Sequence, residues 1–200
     1  GIAIGIIALA LALLRTTKSP ALTPFRFIAT AYVDIFRGAP LILIILLVGF
    51  GVPALRIQGL TSNVIVLGTI AVVLTYSAYV AEVIRSGILS VHQSQRAAAR
   101  SLGFTSNQAM RYVILPQAIR RVIPPLLNDF VSLLKDTGLV SILGVTDAVR
   151  AAQINASRTF NYTPYVVAAI LFLLITIPLT RYIDRYIRLR SEKQNSDGLA

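Results

Sequence analysis

Polar residues interrupt an apolar stretch at 122–145. Asn128, Ser132 and Lys135 stand at i, i+4 and i+7, and Asp136 adjoins Lys135. Asp129, Ser132 and Asp136 repeat the pattern at i, i+3 and i+7. At helical period each set shares one face. A charge deep in a bilayer is costly, so such a stripe must face a partner or a water-filled path. It suits the handling of a polar solute; the plainer alternative is one local Lys135–Asp136 salt link. A second set lies in the later half of 64–85, where Thr75, Tyr76, Ser77, Tyr79 and Glu82 break the apolar run. These belong on the inside of a helical bundle, and Glu82 and Arg85, three apart, can pair on one helix face.

Bond-breaking chemistry is not encoded. There is no GxxxxGK[ST] phosphate loop, no HExxH and no GxSxG. The single histidine, His92, stands alone, and the chain has no cysteine for a disulfide or thiolate metal site. The chain is expected not to be an enzyme and to bind no metal or cofactor itself.

The elements that must hold these residues are membrane helices. The 200 residues are 56% apolar, with a mean hydropathy of +0.74; a soluble domain is nearer ~45–50% apolar. The expected fold class is an all-α membrane protein, a single transmembrane domain over 1–200. Five spans are expected, over 1–14, 38–55, 64–85, 122–145 and 164–182. The first is short for the ~20 residues a span needs, so the chain is expected to begin upstream of Gly1. Pro20 and Pro24 turn the chain, 25–37 reads as an interfacial amphipathic segment, 146–163 as a polar loop, and 181–200 as a basic, then polar, frayed tail.

The net charge is +11, from 19 basic and 8 acidic residues. Distribution decides its meaning. If the spans alternate, fifteen basic residues fall on one side and three, Arg56, Arg150 and Arg158, on the other, with Lys135 inside a span. That bias places the loop 86–121 and the C-terminus in the cytoplasm. The charge then reports membrane orientation, not nucleic-acid binding.

Within that loop, 93–116 is a polar, basic island. Ser94 is expected to cap a helix over 95–102, and Gly103 suits its C-terminal turn. Thr105 and Gln108 have capping-box spacing for a second helix ending near Pro116. The island reads as helix, glycine turn, helix.

The run Gln95, Arg96, Ala97, Ala98, Ala99, Arg100, Ser101, Leu102, Gly103, followed by Leu115-Pro116, resembles the "EAA" loop of bacterial ATP-binding-cassette (ABC) importer permeases. Arg37-Gly38-Ala39-Pro40, the stretch 77–85, Leu115-Pro116-Gln117-Ala118 and the stretch 134–139 are similar to the polar amino-acid uptake branch. The resemblance implies a type I ABC importer permease in the bacterial inner membrane, moving a polar amino acid by alternating access. Ser94 to Gly103 would form the coupling helix that docks on an ATPase. Lys135 and Asp136 could meet the carboxylate and amino groups of the substrate, with Asn128, Ser132, Tyr79 and Glu82 as further substrate-binding candidates. Implied partners are two ATPase subunits carrying ATP and Mg, a second permease subunit, an extracytoplasmic substrate-binding protein, the amino acid and membrane lipid. Three positions depart from the family pattern: Ala97 stands for its Glu, Ser94 for its Gly and Gly138 for its Ser. The alternatives are an ABC permease for another small solute, or a secondary transporter or channel using the intramembrane charges.

Overall fold

The structure, a computed structural model, describes residues 1–17 and 19–197, with side chains as far as Leu189. Lys18 and the side chains of Arg190 and Lys193 lie outside the described residues. All regular structure among the described residues is helical. The chain forms two compact units, one built from Gly1–Ile44 and Ile70–Leu126, the other from Ile45–Thr69 and Leu127–Ala200.

Helix α1 (Ile2–Thr16) ends where the hydroxyls of Thr16 and Thr17 bond back to the carbonyls of Ala12 and Leu13 at 2.9 and 2.8 Å. Helix α2 (Thr23–Gly38) opens with Pro24, whose missing N–H is not needed in a first turn. It stops at Ala39, held extended because Pro40 follows. The segment expected to lie in the interface is thus a packed helix: Ala29 and Val33 are buried. Ala8, Val33, Ala78 and Ala81 form the first unit's core, with Tyr32 and Phe36 packed on it. Small residues let helix backbones approach closely, which matters where lipid offers no hydrophobic drive for helix pairing. The Tyr32 hydroxyl donates to the Leu74 carbonyl or exchanges with Ser77 Oγ, both at 2.8 Å.

After a sharp bend come α3 (Leu41–Leu46), a π turn (Leu47–Gly51) and α4 (Val52–Ala54). The π turn precedes Pro53, which cannot donate to a carbonyl four residues back. Helix α5 (Val64–Leu89) is capped by Asn63, whose Oδ1 accepts from the Ile65 amide at 2.9 Å.

The polar island contains α6 (Gln93–Ser101) and α7 (Ser106–Ala109). Its first cap is His92, not Ser94: the Ser94 amide donates to His92 Nδ1 at 3.2 Å, and the helix starts two residues earlier than expected. The Thr105–Gln108 capping box is present. The second helix does not end at Pro116. A π turn (Met110–Ile114) carries it into α8 (Leu115–Asp136), widening the helix where the proline ring needs room.

The span expected at 122–145 is therefore shifted. Helix α8 starts at Leu115, carries Pro124 and Pro125 in its interior, and gives way after Asp136 to a 3-10 helix (Thr137–Leu143). The expected loop 146–163 is mostly helix α9 (Ala148–Thr159), capped by Asp147 Oδ1 on the Arg150 amide at 2.8 Å. Helix α10 (Thr163–Asp197) runs through Pro178 and well past the expected end at 182, because no breaker follows.

By length and apolarity, two described helices can cross a membrane: α5, and α10 over Thr163–Leu189. Pro20–Gly38 with Leu41–Ala54 would count as one broken span, and α1 is a shorter apolar helix. Helix α8 fails the apolarity test because Arg120, Arg121, Asp129, Lys135 and Asp136 lie along it.

Candidate functional site

Two polar clusters and one exposed loop carry the candidate residues. In the second unit, Asn128, Ser132, Lys135 and Asp136 follow one another on the last turns of α8. Asn128 and Lys135 are exposed, and Ser132 and Asp136 half-buried. Lys135 and Asp136 adjoin each other in the last turn of α8. The α-helix tightens into the 3-10 helix directly after this pair, with the Thr137 hydroxyl bonded to the Leu134 carbonyl at 2.7 Å. Gly138 is buried against Val149 and Phe172, and a Cβ there would stand 3.3–3.4 Å from both.

Tyr79 and Glu82 belong to the first unit. The Arg15 Nη1 donates to Glu82 Oε2 at 2.6 Å, and Arg85 Nη2 donates to Oε1 at 2.6 Å. Arg37 Nη1 completes the group, 3.8 Å from Oε2. Arg37 also lies over the Tyr79 ring, 5.8 Å from its centroid, within cation–π range. Spacing alone pairs Glu82 with Arg85; Arg15 and Arg37 come from distant helix ends and leave no local signal. The six candidate residues are therefore two groups: Tyr79 with Glu82 on α5, and Asn128, Ser132, Lys135 and Asp136 on α8.

The loop holds α6 out from its unit. Ala99 is buried, while Ser94, Gln95, Arg96, Ala97, Ala98, Arg100, Ser101, Leu102 and Gly103 are exposed, Leu102 at 79%. Ala97 faces open space, so the absent glutamate leaves no hole. Gly103 has φ +83°, a left-handed turn that glycine adopts without cost, and the Gly103 and Phe104 amides close the helix on Arg100 and Ala99 at 3.0 and 3.1 Å. Below it, Val91, Ile114 and Ala118 form a small core with Ile88 and Met110. Arg121 donates to the Ser90 carbonyl, and Gln117 Nε2 to Gln95 Oε1 at 3.4 Å. At Gly87 a Cβ would run into Val122 Cγ2, so the glycine lets α5 and α8 close on that valine. The loop is thus fastened to two helices at its root. No cluster of three or more His, Cys, Asp or Glu suited to a metal ion occurs among the described residues.

Comparison with known proteins agrees over nearly the whole chain. Residues 1–190 match the family described as binding-protein-dependent transport system inner membrane component. A probable glutamine ABC transporter permease protein of Bacillus subtilis is 39% identical over 191 residues, covering 94% of this chain and 84% of that protein. An arginine transport system permease protein of the same organism is 33% identical, covering 84% and 76%. A crystal structure of an amino acid ABC transporter with histidines superposes with a TM-score of 0.83 at 35% identity, covering 93% and 86%. The MetNI methionine ABC transporter in an inward-facing form shares the fold, with a TM-score of 0.72 at 20% identity. With its type I ABC importer permease fold, this chain belongs to the family of binding-protein-dependent transport system inner membrane components.

Proposed function

We propose that the chain is the transmembrane subunit of an ATP-driven importer that moves a polar amino acid across the bacterial inner membrane by alternating access. The carrying observation is the whole-length likeness to permeases named for glutamine and arginine and to an amino acid ABC transporter. Lys135 and Asp136 suit such a substrate. They put opposite charges side by side where the helix changes type. In this reading the two meet the carboxylate and the amino group of the substrate, with Asn128 and Ser132 beside them. Tyr79 and Glu82 are further candidates, Glu82 reaching a substrate only by leaving its arginines.

The exposed α6 region, Ser94 to Gly103, is the docking element for a separate ATPase subunit. Two such subunits would bind ATP and Mg, a second permease subunit would complete the path, and an extracytoplasmic binding protein would deliver the amino acid. The docking loop and the C-terminus lie on the cytoplasmic side, as the distribution of Arg and Lys supports.

The test is reconstitution of the assembled transporter in proteoliposomes with its binding protein, reading ATP turnover against each amino acid. A polar amino acid that stimulates turnover and accumulates in the lumen is the expected result. Stimulation only by another class of solute, or uptake driven by an ion gradient without ATP, would overturn the reading.

A further inference from the structure

Helix α10 presents two opposed faces. Ala168, Thr176 and Ile183 are buried against the chain. The opposite face carries Ile170, Leu174 and Ile177, which are 49%, 65% and 49% exposed. One turn further, still at helical spacing, the same face continues as Arg181, Arg185 and Arg188, all exposed. These arginines border an open recess of about 630 Å³ that also touches Asp184 and Leu189. The seam is therefore aliphatic along the apolar span and cationic just beyond it, and it points away from the protein.

We propose that this seam is a binding site for one anionic phospholipid. The acyl chain lies along Ile170, Leu174 and Ile177, and the phosphodiester is held by Arg181, Arg185 and Arg188. Three arginines within eight residues span about 10 Å of helix, the scale of a headgroup. Guanidinium forks pair with phosphate oxygens two at a time. Asp184 leaves the group a surplus of two positive charges, enough to favour an anionic over a zwitterionic headgroup. A second copy of the chain is the poorer occupant. A two-fold contact about the membrane normal sets equal depths against each other, so arginine would meet arginine. The proposal rests on α10 spanning the membrane and not on the identity of the transported solute.

The assembled transporter, purified in mild detergent, is examined by native mass spectrometry with phosphatidylglycerol or phosphatidylcholine added. Thermal unfolding is followed in the same mixtures. The parent is expected to retain one phosphatidylglycerol per copy and to show a rise in Tm with that lipid alone. The triple variant Arg181→Gln, Arg185→Gln, Arg188→Gln is expected to lose both effects, and the corresponding triple lysine variant to keep part of each. If the glutamine triple variant does not assemble, the three single variants are read, and a drop in retained lipid in each supports the site. Unchanged retention in the variants overturns it. So does displacement of the lipid by inorganic phosphate, which marks a free-phosphate site, or loss of a protein subunit instead of lipid, which marks a protein contact. Substrate-stimulated ATP turnover, measured in parallel, separates failure of this site from failure of the transport reading.

Discussion

Arg15 Nη1 stands 2.6 Å from Glu82 Oε2, joining the end of α1 to the later half of α5 across 67 positions of sequence. Both side chains are largely shielded, at 10% and 16% exposure. Arg85 and Arg37 approach the same carboxylate. One acidic side chain thus gathers arginines from three helices, α1, α2 and α5, in the unit that carries α6 and α7.

Removing that carboxylate leaves shielded guanidinium groups facing one another. Glu82→Gln is expected to destabilise the purified complex by about 3–5 kcal/mol, the range for removing one partner of a buried ion pair. Arg15→Gln alone is expected to cost less, because Arg85 still neutralises Glu82. The double variant should fall short of the sum of the two, showing a coupling energy in a double-mutant cycle read by thermal or denaturant unfolding. Strict additivity would show that the contact carries no energy.

Lys135→Ala and Asp136→Ala are expected to leave assembly and basal ATP turnover intact and to weaken stimulation by substrate. Each loses one charged contact, worth about 1.4–2.8 kcal/mol, so the half-saturating solute concentration should rise about 10- to 100-fold. Titration of ATP turnover against the amino acid reads the change. A variant with the parent's titration curve takes that residue out of the substrate site.

At the root of the loop, Gly87→Ala introduces a methyl group into space that Val122 Cγ2 already fills. Overpacking of this kind costs about 1–3 kcal/mol. Because the clash is with the end of one side chain, Val122→Ala in the same molecule should restore most of the loss. Thermal unfolding of the single and paired variants tests this, with substrate-stimulated ATP turnover showing whether the loop still transmits.

The exposed end of α6 offers a direct assay of docking. The chain contains no cysteine, so Leu102→Cys provides a single label site within it. Maleimide is expected to react with Leu102→Cys in the permease alone and to be excluded once the ATPase is bound. Gly103→Ala, forced to hold φ +83°, should cost about 1–2 kcal/mol and weaken ATPase co-purification, while Gly103→Asn is milder. Equal labelling with and without the ATPase would place docking elsewhere.

What the sequence alone determined is the local part of this molecule. The apolar runs define a membrane helical protein, and adjacent turn residues define the loop: Thr105 and Gln108 form their capping box, and Gly103 takes its left-handed turn, because each needs partners only a few residues away. The motifs in and around the loop were enough to indicate the family. Helix boundaries were less legible. Pro116 suggests a stop and Pro124-Pro125 a start, yet a π turn leads into one helix that contains all three prolines. The helix 148–159 was hidden by polar composition, although Asp147 is an ordinary cap signal. Only the tertiary structure decided that Arg15 and Arg37 share Glu82, that Gly87 admits Val122, and that Arg181, Arg185 and Arg188 share the face opposite Ile183. Those relationships join residues far apart in sequence or depend on which side of a helix is covered, and packing, not the preferences of neighbouring residues, sets both.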